Sequence, residues 1–547
     1  MPLLPVFQSY VEHQVARVLT QCDRDPDSPT FGCFDRNYWH YKIRDFPSSI
    51  LQQGAFTLEA IRTGQVLSLP PTTQCDRWAV AAVNALARQV DRRGRVDEYY
   101  PFEAGYPPAA FGLYAAGRLL LDWATHAPHL AAQVQREPLR RLAQHLANRL
   151  EAGATNQQAA GLAGLALAAK VGLIPNHADR IHSLATQLFQ SQHPEGWFNE
   201  YGGPDFGYLT VTLDALVDYH DATGDERAIA AINRAVTFLT QLVGGDGRLP
   251  STLNSRNTDY VVPYGLVRAA SWNLTAAWLV ETLFRDLHEP HHFAWSTDDR
   301  YHCHYLFASI VRSLPHLAAM EPAQQPYWDE SLWLPGCGYA VYRPKAQPWT
   351  AYVAARKGGL VRIHRHQSAD QPPILEHGWR ITQGQKSWTS NWWSADWQIT
   401  AQDHSLQITG QCPRTSFHVP TPLKHGILRL LAWVLRQRLI PLLKRAMIFR
   451  PGSSTGPSFT RTLEWGPWGV SRQDQLGAWP GGTAIASPRQ NLRHVASADS
   501  FSREEFLPSL LPSEALALEQ GQVINAKWDA NATEPKGDRP HNQENRR

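Results

Sequence analysis

Thiol chemistry is scarce in this chain. Its six cysteines, Cys22, Cys33, Cys75, Cys303, Cys337 and Cys412, are scattered and form no C-x-x-C pair. No disulfide framework or structural zinc site is expected from them, and reduced thiols are the default. Long apolar runs are missing too. No stretch of about 18 uncharged apolar residues occurs, so no membrane span is expected. The N-terminus, MPLLPVFQSYVEHQ, lacks the basic segment and apolar run of a secretory leader, which makes a cytoplasmic location the expectation. An excess of one charge is also absent. The 52 Lys and Arg nearly balance the 49 Asp and Glu, for a net charge of +3. That mixture carries no electrostatic footprint of nucleic-acid binding, and no nucleic-acid partner is expected.

What the chain does have is length and aromatic surface. Its 547 residues exceed what one hydrophobic core organises, so two or three domains are expected. There are 20 tryptophans, several in polar surroundings such as TSNWWSADW at 389–397. The flat indole face packs on apolar surfaces, the C–H faces of sugar rings among them. Burial in a core or against a sheet remains the ordinary fate of any one of them.

Residues 1 to about 320 read as helices. Apolar residues recur at three- and four-residue spacing in 75–90, 107–123, 156–171 and 227–243, with Gly, Pro or polar clusters between. A loop-opening glycine followed by a polar, aromatic stretch and then a helix occurs at Gly94, Gly196 and Gly247. The last two are 51 residues apart, and the first two are 102 apart. A period near 50 fits a helical hairpin with its loops, and stacked hairpins make a solenoid or close into a toroid. The loops then fall at one end and line one cleft. Beyond 321–338 the pattern changes to short alternating segments such as TAYVAAR, GLVRIHRH and LQITGQ, which read as antiparallel strands. A basic, helix-like stretch at 425–450 interrupts them. Either it is an interfacial amphipathic helix, giving peripheral membrane contact, or it packs on the β domain with its cations outside. The packing reading is preferred, and Pro441 breaks any single long helix.

This order of domains, with the loop residues EGWFNEYGGPDFGYLTV at 195–211, Asn156 after EAGAT, and GLVRIHRHQSADQP at 359–372, resembles the heparinase II/III-like polysaccharide lyases. The resemblance implies an incomplete (α/α) toroid over 1–325 and an antiparallel β-sandwich over 326–528. The basic insertion at 421–450 interrupts the sandwich, and a disordered tail covers 529–547. It also allows a periplasmic location. It implies that Asn156 neutralises a uronate carboxylate, that Tyr208 acts as base or acid, and that His364 assists. Tyr201 is the second tyrosine, and Trp197, Glu200, Asp205, Arg248 and Arg256 are expected to bind substrate. His366 with Asp370 resembles part of a zinc site. The segment GWRITQGQKSW lacks the acidic ligand expected next, so no cofactor is required.

The chemistry explains these residue types. A lyase removes the C5 proton beside a carboxylate, and that proton is hardly acidic while the carboxylate keeps its charge. A neutral donor must stabilise the charge that builds there, while a base reaches C5 and an acid protonates the leaving oxygen. A phenol serves as base only if cations lower its pKa from about 10. Each residue also has a plainer use. Thr155 or Asn156 is a natural helix cap, the tyrosines pack between helices, and the arginines form surface ion pairs.

Three functions are compatible with these residues. The first is β-elimination on an acidic, uronate-containing polysaccharide. The second is non-catalytic glycan binding or assembly in exopolysaccharide metabolism. The third is a toroid glycoside hydrolase, for which Asp97, Glu103, Glu200 and Asp205 supply candidate carboxylates.

Overall fold

The computed structural model describes residues 2–151, 153–244, 247, 249–250, 254–256, 258, 260–366, 373–415, 419–447, 456–487 and 515–530. Arg248 and Asp370 therefore lie outside the described residues.

The N-terminal half is built from helical hairpins. Four inner helices, Tyr106–His126, Thr155–Lys170, Phe206–Thr223 and Tyr264–Ala269, begin 49, 51 and 58 residues apart. Their outer partners are Arg136–Ala147, Ala178–Gln190, Glu226–Leu242 and Leu274–Phe284. Burial follows composition. The Ala- and Gly-rich helix Thr155–Lys170 is buried on nearly every face, whereas Arg136–Ala147 buries one stripe, Leu139, Leu142, Ala143, Leu146 and Ala147. Small residues let the inner helices touch. A Cβ on Gly164 would lie 2.9 Å from the Tyr114 backbone nitrogen, and one on Gly117 would lie 2.9 Å from the Leu167 Cβ. The first helix, Leu3–Leu19, closes against the far end of the toroid. There the Tyr10 hydroxyl donates to the Ala294 carbonyl at 2.8 Å, and Arg17 pairs with Asp299 at 2.6 Å.

The repeat has a physical basis in its three glycines. Gly94, Gly196 and Gly247 have φ of 77°, 102° and 74°. A Cβ on each would lie 2.1, 2.2 and 2.3 Å from the carbonyl oxygens of Arg141, Arg234 and Thr282, one on each following outer helix. The same turn thus recurs against the same place in each hairpin, and no other residue fits it.

The last helical turn ends at Ala319 and the first strand starts at Ser331. The first sheet runs in chain order, β1 (Ser331–Leu334), β2 (Tyr339–Tyr342), β3 (Trp349–Ala354), β4 (Leu360–Arg365) and β5 (Ile374–Leu375), all antiparallel. The later strands are β6 (Trp379–Gln383), β7 (Lys386–Thr389), β8 (Gln398–Gln402), β9 (Ser405–Gln411), β10 (Arg414–Thr415), β11 (Ser458–Gly466), β12 (Gly469–Leu476), β13 (Thr483–Ala486), β14 (Leu516–Ala517) and β15 (Gln522–Asp529). They form two sheets, in the orders β10-β7-β6-β13-β14 and β15-β12-β11-β9-β8.

Strand alternation gives the first sheet two different faces. Tyr339, Val341, Tyr352 and Leu360 join the toroid core. Ala340, Val353, Val361 and Ile363 join the β core with Trp379, Ile381, Ile408 and Leu463. That core encloses two buried arginines and two buried carboxylates. Arg461 reaches Glu376 and Asp474, both at 2.7 Å, and Arg472 reaches Asp474 at 3.2 Å.

The two halves are fastened beside the toroid loops. Glu195 accepts from the backbone N–H of Gly336 and Cys337 at 2.7 and 3.1 Å, and Lys357 donates to the Asn254 carbonyl at 3.2 Å. The Trp393 indole donates to the Gly202 carbonyl at 3.2 Å.

The basic insertion forms two helices, Pro422–Leu435 and Leu439–Met447, with Pro441 in the first turn of the second, where its missing N–H costs nothing. The break between the helices falls at Arg436, whose φ is 49°. The hairpin packs on Tyr100 of the toroid through Ala432 and Leu439, which differs from the expected packing on the β domain. Periodicity shows that a helix has an apolar face but not which neighbour covers it. No helix among the described residues is long and apolar enough to cross a membrane.

Candidate functional site

The loops at one end of the toroid bring together six of the expected residues, Asn156, Glu200, Tyr201, Asp205, Tyr208 and Arg256. Asn156 sits at the start of its helix, bound from outside by Glu200. Its backbone N–H donates to Glu200 Oε1 at 2.7 Å and its Nδ2 to Oε2 at 2.8 Å. Glu200 is fixed by an isolated β-bridge between Ala154 and Glu200, and its N–H donates to the Gly203 carbonyl at 2.7 Å. Burial pushes the Glu200 carboxyl up to about 8, against the two Asn156 donors and the Arg256 charge, which hold it down. The Asn156 Oδ1 and Gln157 Oε1 atoms are buried and have no hydrogen-bond partner among the described residues.

Tyr201 follows with φ 56°, an uncommon backbone for a non-glycine residue, and its hydroxyl accepts from Gln157 Nε2 at 3.2 Å. Phe102 and Ala104, in the neighbouring loop, also have positive φ, at 62° and 46°. Backbone strain of this kind collects where a fold holds side chains for function. The Arg256 guanidinium lies over two rings, 4.3 Å from the Tyr201 centroid and 5.3 Å from that of Tyr208. Tyr208 is buried, and desolvation holds its hydroxyl well above the usual phenol range although Arg256 opposes this.

Asp205 has a different task from acid–base chemistry. It caps the helix Phe206–Thr223, with Oδ1 accepting from the Tyr208 N–H at 3.0 Å and Oδ2 from the Thr258 N–H at 3.2 Å. Asp97 and Glu103 are likewise occupied with backbone. Asp97 accepts from Phe102 and Ala104 at 2.9 and 2.8 Å, and Glu103 accepts from Glu98 and Tyr99 at 2.9 and 2.8 Å. Trp197 stacks on His193 at 4.5 Å and donates to Glu195 at 2.9 Å, so it belongs to the domain fastening.

His364 stands in a second cluster, on the toroid-facing side of β4. It packs edge-on against Tyr352 at 5.4 Å, and its Nε2 accepts from Arg362 Nε at 2.5 Å. Arginine only donates, so this contact places the imidazole proton on Nδ1 and leaves the ring neutral. His366 pairs with the Thr350 hydroxyl at 2.9 Å. Among the described residues no three His, Cys, Asp or Glu side chains gather as a metal site. Asp370, the other half of the expected zinc pair, lies outside the described residues.

Sequence reading missed the far wall of the site. Tyr301 and Tyr305 come from a turn of helix with a π-helical stretch, His302–Leu306. Tyr305 meets Tyr208 edge-on at 6.4 Å, and Tyr260 meets Tyr301 and Tyr305 at 6.1 and 6.3 Å. Tyr301 is half-buried. Burial raises its pKa, while Arg300, Arg256 and a hydrogen-bonding interaction with the Tyr208 hydroxyl pull it back down. Arg300 in turn bonds Glu98 at 2.6 Å and the exposed Tyr99 at 3.2 Å. The available signal was the spacing of Tyr301 and Tyr305, four apart and so on one helix face. The wider result is a continuous band of tyrosines and arginines from Tyr99 to Tyr201.

This architecture, a helical toroid followed by antiparallel sheets, is a fold shared with a solved polysaccharide lyase. The chondroitin AC lyase of Streptomyces coelicolor A3, solved in complex with chondroitin sulphate, superposes with a TM-score of 0.52 at 13% identity, over 88% of this chain and 68% of that one. A tyrosine-to-alanine variant of the same lyase gives a TM-score of 0.51 at 11% identity over the same shares. The heparan sulfate lyase HepC of Pedobacter heparinus gives a TM-score of 0.37 at 9% identity, over 79% of this chain and 62% of its own. At these identities the likeness to the chondroitin AC lyase is one of fold. No protein-family model matches the chain, and no curated protein matches it.

Proposed function

We propose that this protein cleaves a uronate-containing polysaccharide by β-elimination at the toroid cleft. The observation that carries the reading is the convergence of Asn156, Gln157, Tyr201, Tyr208 and Arg256, joined by Tyr301, at one end of the inner helices. Asn156 Nδ2 has a second hydrogen beyond the one given to Glu200. That hydrogen, with Arg256, receives the charge that builds on the substrate carboxylate. The unpaired amide oxygens of Asn156 and Gln157 accept sugar hydroxyl groups. Tyr208 and Tyr301 act as a pair of phenols. One takes the C5 proton once it has given up its own, a loss that burial opposes and that Arg256 and Arg300 assist. The C5–H electrons form the C4–C5 double bond, the C4–O4 bond breaks, and the leaving oxygen takes a proton from the other phenol. His364 does not enter the reacting set, because its Nε2 is taken by Arg362.

Incubation with chondroitin and heparan sulfates, alginate and bacterial acidic glycans tests this through the absorbance of the new double bond. Glycan binding with no unsaturated product from any of them would exclude elimination. It would leave the second reading, a non-catalytic glycan-binding protein, which the desolvated Tyr208 phenol favours. The glycosidase reading loses its carboxylates, since Asp97, Glu103, Glu200 and Asp205 all brace backbone N–H groups.

A further inference from the structure

The helical insertion between β10 and β11 has an apolar face that none of the described residues covers. The helix Pro422–Leu435 docks on the toroid through Leu428, Ala432 and Leu435, around Tyr100. Its other face carries Leu423, Ile427, Leu430, Leu431 and Val434, at steps of four, three, one and three residues, which is one stripe of an α-helix. Trp433 flanks the stripe. Leu423, Leu430, Trp433 and Val434 are 74%, 62%, 63% and 63% exposed. Leu442 of the second helix is also exposed. Large apolar side chains grouped on one surface mark a binding face.

Charge identifies the partner. Residues 421–450 hold seven Lys and Arg and no Asp or Glu, while the whole chain is only +3, so the remainder has four more acidic than basic residues. The insertion is therefore a cationic element on an otherwise slightly acidic body. Two copies meeting through this face would bring like charges together. An anionic lipid surface instead accepts both parts, with acyl chains under the leucines and headgroups beside the cations. The Arg436 guanidinium lies 5.6 Å from the Phe102 ring, and Arg429 pairs with Asp45. The first contact anchors the hairpin to the loop that also carries Tyr99, beside the tyrosine band, and the second ties it to the segment around Asp45.

We infer that the hairpin 421–447 docks the protein on an anionic bilayer surface, with the stripe Leu423–Val434 entering the headgroup region. The test is flotation of the full chain with two kinds of vesicle, one of phosphatidylcholine alone and one with roughly one part phosphatidylglycerol to three of phosphatidylcholine. The expected result is co-flotation with the anionic vesicles, about tenfold weaker with the neutral ones and weakened by high salt. Paired substitution Leu430→Glu and Val434→Glu is expected to abolish it without changing thermal unfolding, because both side chains face solvent. Should that variant unfold, the milder Trp433→Ser is expected to weaken flotation several-fold. Three results would each overturn the inference. These are a wild-type chain left behind by both vesicles, flotation indifferent to the substitutions, and a wild-type dimer that the substitutions convert to monomer without any lipid binding.

Discussion

The carboxyl group of Glu200 grips Asn156 twice, at 2.7 Å through the backbone N–H and at 2.8 Å through the side-chain amide. One acid therefore serves as helix cap and as the orienter of the buried Asn156 amide. The pairing also joins two successive hairpins, because Asn156 opens one inner helix and Glu200 stands in the loop before the next.

Replacing Asn156 by Ala is expected to lower turnover about 10²–10³-fold, the usual loss for one donor to a developing negative charge. Glu200 loses a donor as well, so the variant should also unfold about 1–3 kcal/mol more easily. Assaying turnover well below the unfolding temperature separates the two effects, and a variant that turns over at the wild-type rate would remove Asn156 from the site.

The two phenols should behave as a unit. Tyr208→Phe and Tyr301→Phe are each expected to cost about 10²-fold or more in kcat, with glycan binding retained. The double variant should lose little beyond either single one, since groups acting together are not additive. Losses that multiply would show that Tyr301 works independently of Tyr208.

Glu200 sets a pH dependence whose sign is fixed by burial. Its carboxyl titrates at about 8 in the fold against 4.5 when free. The stability that the neutral group contributes is whole below the free value, and it declines as pH rises until it is gone above about 8. Glu200→Gln cannot ionise, so the stability of the variant relative to wild type should rise by a few kcal/mol between about pH 5 and pH 8. Urea unfolding of both chains across that range measures it, and a difference that stays flat would contradict the assigned protonation.

Gly196→Ala is expected to destabilise the toroid by about 3 kcal/mol, because φ of 102° is combined with a backbone oxygen 2.2 Å from the new Cβ. Gly172→Ala is the control. Its φ is 76° but nothing lies within 4 Å, so only about 1 kcal/mol of backbone cost is expected. Equal midpoints in thermal unfolding for the two variants would mean that the close approach to Arg234 carries no weight.

Much of this architecture can be read in the sequence, because its causes are local. The glycines at 94, 196 and 247 are visible as a period because each must hold a positive φ against a neighbouring carbonyl. Strand alternation near His364 is visible for the same reason. The roles inside the site are less so. Glu200 and Asp205 read in the sequence as substrate-binding residues or, for a glycosidase, as candidate carboxylates, whereas in the fold one clamps Asn156 and the other caps a helix, roles set by burial within the whole ring of helices. Tyr301 and Tyr305 come from the last turns of the toroid, where aromatic residues are hard to tell from core. The partner of the basic hairpin is set by where the chain returns in space, so its place on Tyr100 has no trace in its own periodicity.

Trp393, whose indole reaches the Gly202 carbonyl, also lies where a Cβ on Gly203 would meet its ring at 2.4 Å. The β half thus leans on the very loop that presents Tyr201. Any swing of the sheets away from the helices would therefore pull on that loop, so the positive-φ backbone of Tyr201 is tied to how the two halves are seated.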